Sequence, residues 1–152
     1  MSAWIWTGNP DRWKAQHGTD GYKAMWSYLH HESNYVYWAT TAFYDEVKVD
    51  DVAYIWRAQS SFSDKNGIVA VGVVKEEPLE YTAENKSKFM HPERLDAAGW
   101  DEERATSRWK TGILIQSRRW NSPIHIPNLM LRQSINALSD EQRRRIEAAL
   151  SK

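Results

Sequence analysis

The segment Val52-Ala53-Tyr54-Ile55-Trp56-Arg57-Ala58-Gln59-Ser60-Ser61-Phe62-Ser63-Asp64-Lys65-Asn66-Gly67-Ile68-Val69-Ala70-Val71-Gly72-Val73-Val74 decides the fold class. Its first six residues are rich in β-branched and aromatic types, with Tyr54 and Trp56 on one face and Ile55 and Arg57 on the other. A polar stretch closing on Asn66-Gly67 leads into a nearly unbroken apolar run, Ile68 to Val74, so the two runs are expected to pair as a hairpin. Gly72 inside the run predicts a bulge or a close backbone approach.

Working outward toward the N-terminus, Ala3 to Thr7 reads as an opening strand stopped by Gly8-Asn9-Pro10. Asn9 suits an N-cap and Pro10 the first helical position, so a short helix through Trp13 to about His17 is expected. After Gly18 to Gly21, a second helix carries Tyr22, Met25, Trp26 and Leu29 at spacings of three and four, a stripe read as core. Tyr35 to Thr41 reads as a strand with Val36, Trp38 and Thr40 on one face. Toward the C-terminus, Glu76 to Glu103 is charged, aperiodic and interrupted by Pro78 and Pro92, which predicts a long loop with one helical turn near Pro92; loops of this length tend to be functional. Trp109 to Trp120 resumes a strand. A last helix opens on a capping box, Ser139 with Gln142, and buries Ile146, Ala149 and Leu150.

The 152 residues suit a single domain, 1–152, with 41% hydrophobic and 26% charged residues in the ordinary globular range. The lack of cysteine removes disulfide scaffolds, zinc fingers and thiol nucleophiles and fits a reducing compartment. No run approaches a membrane span, and Met1 to Pro10 lacks the secretory pattern, so a soluble, cytoplasmic protein is expected. The formal net charge is zero, but its distribution is uneven. Met1 to Glu103 holds 17 acidic and 10 basic side chains, whereas Arg104 to Ser139 holds six basic and no acidic ones. This segment alone has electrostatics suited to phosphates. Nine tryptophans and seven tyrosines against three phenylalanines give many rings with a polar edge, which leans toward a site that stacks a flat ligand.

No nucleophile elbow, Walker-type loop or dinucleotide-binding glycine run is present. His30-His31-Glu32 are adjacent on a helix and point about 100° apart, so a polar helix end is favoured over a metal site. Asp45-Glu46 and Asp50-Asp51 fall at turns, where carboxylates serve capping and solubility. No cofactor is expected, and no catalytic constellation is visible. Arg104, Arg108, Lys110, Arg118 and Arg119 fit a phosphate-tracking run and equally a solvated strand face. Among the tryptophans, Trp38 is the favoured stacking residue, because Ala39-Thr40-Thr41 after it leave room and supply hydroxyls.

The ordered set Ala3-Trp4-Ile5-Trp6-Thr7-Gly8-Asn9-Pro10, Tyr35-Val36-Tyr37-Trp38-Ala39-Thr40-Thr41, Val47 to Arg57 and Gly67 to Val74 resembles the EVE domain of the PUA-like superfamily, whose relatives include the YTH readers of methylated adenine. The resemblance runs through most of the chain, including the helix start at Leu138 to Gln142. It implies an α+β fold, a small PUA-like, strongly bent mixed β-barrel flanked by helices, and a pocket holding a flipped, modified base between aromatic walls. Trp38 would be the first wall, matching the YTH pattern Trp-x-Ser/Thr. Trp100 would be the second, with Trp56 or Trp109 in its place as alternatives. Gly8, Asn9, Thr40, Thr41 and Arg57 would line the pocket. Many EVE proteins carry Gly-Asp where this chain has Asp50-Asp51. The resulting expectation is a non-catalytic module binding DNA or RNA with a modified base, with no membrane partner. The alternatives are a metal-dependent nucleotide or nucleic-acid modifying enzyme using Asp45, Glu46 or His31, and a protein-binding adaptor.

Overall fold

The expected hairpin is present: β3 (Val52–Arg57) and β4 (Gly67–Glu80) pair antiparallel, from Val52 opposite Val73 to Arg57 opposite Gly67. The structure is a computed structural model, and it describes residues 1–12, 21–30, 33–61, 63–80, 109–129, 131 and 135–152. β1 (Ala3–Gly8) runs parallel to β3, and β5 (Trp109–Arg118) is antiparallel to both β4 and β2 (Tyr35–Ala39). A three-residue β6 (Ile135–Ala137), which no sequence signal announced, adds to the free side of β1. Among the described residues the result is a mixed six-stranded sheet in the order β2-β5-β4-β3-β1-β6. With the helices α1 (Gly21–Leu29) and α2 (Asp140–Leu150), the chain is α+β.

Alternation along each strand buries both faces. Trp4, Trp6, Ala53, Ile55 and Ile113 join Met25, Tyr28 and Leu29 of α1 in one cluster, whereas Ala3, Ile5, Tyr54 and Trp56 join Ile146 of α2 in a second. β1 and β2 are separated in the sheet by three strands, which in a flat sheet means about 19 Å. Yet Trp6 Nε1 donates to Thr40 Oγ1, just past β2, at 3.4 Å. The sheet therefore curls around the first cluster. Among the described residues it does not close, since β2 pairs with β5 and the short β6 with β1; of the strongly bent mixed β-barrel that the resemblance implies, they show a curled mixed sheet without closure.

Gly72 marks a register shift of β4 against β5, and a Cβ there would collide with the Leu114 carbonyl oxygen. β4 continues to Glu80, where a loop from Glu76 was expected. Two further register shifts, the second spanning Pro78, break the period-two pattern, and proline's missing donor is tolerated at such an irregularity. Asn9 Oδ1 accepts from the Asp11 amide at 2.9 Å and caps the single 3-10 turn Pro10–Arg12. The expected continuation of that helix to His17, the long loop over 81–103 and its turn at Pro92 lie outside the described residues. Trp26 departs from the core stripe, since it is exposed while Met25, Tyr28 and Leu29 are buried. The capping box of α2 forms as expected, and Ile146 is buried. Among the described residues, no helix is long and apolar enough to cross a membrane.

The turn before β3 is held by a buried carboxylate. Asp51 accepts from the Ser2 amide at 3.0 Å, Trp4 Nε1 at 2.8 Å and the Lys48 amide at 2.9 Å, which ties the first strand to the β2–β3 connection. Asp50 sits at φ 74°, a left-handed conformation that glycine adopts most easily and that Asp tolerates. The Gly-Asp of many EVE proteins thus matches one backbone need and one acceptor. Asp51→Ala is expected to cost about 3 kcal/mol or more in urea unfolding, because three donors lose a charged acceptor, and Asp51→Asn is expected to fall between.

Candidate nucleic-acid interface

The strand ends beyond Gly8, Arg57 and Arg118 and the last turn of α1 bring together part of the expected site. Trp38 is only 6% exposed and packs in the first cluster, its ring 6.3 Å from that of Tyr28. A Cβ at Gly8 would lie 2.6 Å from Met25 Cε and 3.0 Å from Trp38 Cζ2, so the absence of a side chain at Gly8 lets Met25 and Trp38 close against β1. Thr40 is buried, with its hydroxyl 2.5 Å from that of Thr111, while Thr41 is exposed and its carbonyl accepts from Tyr44. Among the described residues, Met25, Tyr28 and Gly8 pack directly against the Trp38 ring.

Trp56 does not share a pocket with Trp38. Strand alternation sends it to the opposite face of the sheet, into the α2 cluster, with its ring 5.7 Å from that of His125. Trp109 stacks on Tyr44 at 4.7 Å. Trp100, Arg104 and Arg108 lie outside the described residues, as does His31. Asp45 and Glu46 are exposed, and no three His, Asp or Glu side chains converge among the described residues.

Arg57, expected beside a base, is 1% exposed. Its guanidinium lies 4.5 Å from the Trp120 ring centroid and 5.2 Å from that of Tyr22, and it donates to the carbonyls of Trp120 at 2.8 Å and Lys65 at 3.0 Å. Among the described residues, its buried Nε has no hydrogen-bond partner. Burial pushes its pKa below the ordinary arginine value, yet a guanidinium keeps its charge at neutral pH. Arg57 therefore puts a fixed positive charge under Trp120 and anchors the turn after β5.

That turn and the end of α1 border an open surface cleft of about 490 Å³ lined by Trp26, His30, Arg118, Arg119, Trp120, Asn121 and Ser122. Arg118 donates through Nε to the Leu29 carbonyl at 2.7 Å and through Nη2 to Asn34 Oδ1. Arg119 Nη2 donates to the Leu150 carbonyl at 3.2 Å, at the negative end of α2. Both guanidiniums are oriented by neutral acceptors, and among the described residues neither has a carboxylate partner. Lys110, eight residues from Arg118 along β5, is 8% exposed and does not join them. The expected run of five phosphate contacts thus resolves, among the described residues, into a pair at one end of β5 and a buried lysine at the other. Of the cleft residues, Arg118 and Arg119 were legible in sequence. Trp26 was read with the core stripe of its helix, and only the packing of α1 shows it exposed.

Sequence comparison finds no matching protein family and no matching curated protein. Structure comparison defines the fold. The human THYN1 protein, solved in complex with 5-methylcytosine containing DNA, is similar over 100% of this chain and 99% of its own, with 13% identity and a TM-score of 0.60. A hypothetical protein from Leishmania major matches over 99% of this chain and 96% of its own at 13% identity and a TM-score of 0.54. A variant of the ASCH protein from Zymomonas mobilis matches over 97% and 98% at 8% identity and a TM-score of 0.54. This chain folds as the THYN1 and ASCH domains do, and those neighbours fit the PUA-like, EVE-type resemblance of its sequence.

Burial alone pushes the Lys110 ammonium down to about 8 from the ordinary 10.5. Between those values the unfolded chain binds more protons than the folded one, so stability is expected to rise with pH across that window. The Tyr35 and Tyr37 hydroxyls are pushed upward, first by burial and then by Glu76, and oppose this rise only above their ordinary value of 10. Lys110→Met is expected to flatten the rise in urea-unfolding free energy across that window.

Proposed function

We propose that this domain is a non-catalytic module that binds nucleic acid carrying a modified base. The observation that carries the reading is the pair Arg118 and Arg119, held by backbone carbonyls without carboxylate partners among the described residues, beside the rings of Trp26 and Trp120. Oriented, uncompensated guanidiniums suit phosphates, and flat rings suit bases. A shared fold does not carry function by itself. The THYN1 complex with 5-methylcytosine containing DNA supports the ligand class, because its fold spans the whole of this chain.

In this reading the modified base docks against Trp38 beside Gly8, Asn9 and Thr41. Met25 is the movable element, since its methyl lies against the position of a Gly8 Cβ and an unbranched thioether repacks readily. The base is recognised by shape and by satisfied hydrogen bonds, for which no nucleophile is needed.

Calorimetry with short oligonucleotides tests the reading. Single strands containing 5-methylcytosine are expected to bind about 1–3 kcal/mol more tightly than unmodified ones, and modified duplexes less tightly than modified single strands because unpairing costs energy. Equal affinity for modified and unmodified strands would remove base reading. A separate titration against salt tests the cationic pair. Arg119→Gln is expected to weaken modified and unmodified strands alike and to reduce the slope of log K against log salt by about 0.7 for a lost single-strand phosphate contact, whereas an unchanged slope would return Arg119 to helix capping alone.

A further inference from the structure

Trp26 is 45% exposed, whereas Trp4, Trp6, Trp38, Trp56 and Trp120 are buried. Helix geometry sets this apart from chance. Met25, Tyr28 and Leu29 form the core-facing stripe of α1, and Trp26, about 100° further round, pairs instead with His30 at i+4. The two rings stack with centroids 4.6 Å apart and planes 17° from parallel. His30 Nδ1 lies 2.7 Å from the Trp26 carbonyl, which can only accept, so Nδ1 carries the proton and the imidazole is locked against the indole. Burial lowers the His30 pKa against the opposing hydrogen bond to the Trp26 carbonyl, with a smaller lowering contribution from Arg118. Trp120 meets His30 edge-on, and Arg118 and Arg119 complete the wall.

The pre-stacked aromatic platform opens onto a surface cleft of about 490 Å³. The chemistry narrows the ligand. An acidic peptide would use the two arginines and leave the flat platform without a purpose. An apolar helix would cover the tryptophan but would bury guanidiniums that have no carboxylate among the described residues. A nucleotide uses both, with its base on the rings and its phosphate on the guanidiniums. We infer that the cleft formed by Trp26, His30, Trp120, Arg118 and Arg119 is a second nucleotide subsite, which takes an unmodified neighbour of the modified nucleotide on the same strand. The inference rests on the nucleic-acid reading above. It adds a contact indifferent to modification. Met25, whose methyl adjoins Gly8 and Trp38, precedes Trp26 directly in the chain, so one helix turn serves both places.

The test uses the full chain, Trp26→Ala and Trp26→Phe, with single-stranded oligonucleotides that contain either 5-methylcytosine or cytosine. Because Trp26 is exposed, both variants are expected to keep the circular dichroism spectrum and the unfolding midpoint close to those of the parent. Trp26→Ala is expected to weaken both oligonucleotides by a similar factor, about five- to a hundredfold, leaving their ratio unchanged. Trp26→Phe is expected to restore most of the affinity while losing part of the tryptophan quenching seen on binding. Unchanged affinity of a folded Trp26→Ala for both strands overturns the subsite and leaves modified-base binding standing. A loss confined to the methylated strand also overturns it, by making Trp26 a wall of the modified-base pocket. Failure of the parent protein to bind any strand overturns the nucleic-acid reading and the subsite with it.

Discussion

The contact between Trp6 and Thr40 is the constraint from which the rest of the structure follows. It joins two strands that are four steps apart in an open sheet, and it forms only because the sheet curls around the ring-filled cluster between them. Thr40 in turn shares a hydrogen bond with Thr111 of the neighbouring strand, so three strands meet at one buried polar point. A curled sheet with few residues on its concave side needs volume, and tryptophan supplies more of it than leucine. Buried indoles also need hydrogen-bond partners. Thr40 serves Trp6 and Asp51 serves Trp4, which explains why two polar residues are buried at the margins of an otherwise apolar cluster.

The same curl sets up the chemistry at the end of the sheet. Arg57, at the end of β3, lies against the edge-to-face pair of Tyr22 and Trp120 and fixes the turn that follows β5. Arg118 and Arg119 then line the cleft, their guanidiniums tied to the ends of α1 and α2 through the Leu29 and Leu150 carbonyls. Held by neutral acceptors, these two side chains have already lost much of their rotamer freedom, so an incoming anion does not bear that cost. A basic residue count would have ranked Lys110 with them. Its burial makes it an electrostatic liability near neutral pH and separates it from the pair.

Much of the architecture was legible in the chain. The alternating run Val52 to Arg57, the apolar run after Asn66-Gly67, the strand Tyr35 to Ala39 and the capping box at Ser139 are local patterns that survive any tertiary setting. The extension of β4 to Glu80 was hidden because register shifts erase alternation, and β6 because three residues carry no period. Gly8 and Trp38 lie side by side through contacts between distant parts of the chain, whereas Trp56 is turned to the far face by the same alternation that identified its strand.

The sequence by itself determined the element types, the Asn9 and Ser139 caps, the uneven charge and the excess of indoles, because each depends on residues within a few positions of one another. Tertiary structure decided which indoles are walls and which are filling. It curled the sheet, buried Trp38, Arg57 and Lys110, and left Trp26 exposed against His30 beside two arginines. Exposure depends on what packs against a side chain from distant parts of the chain, and no local pattern carries that information.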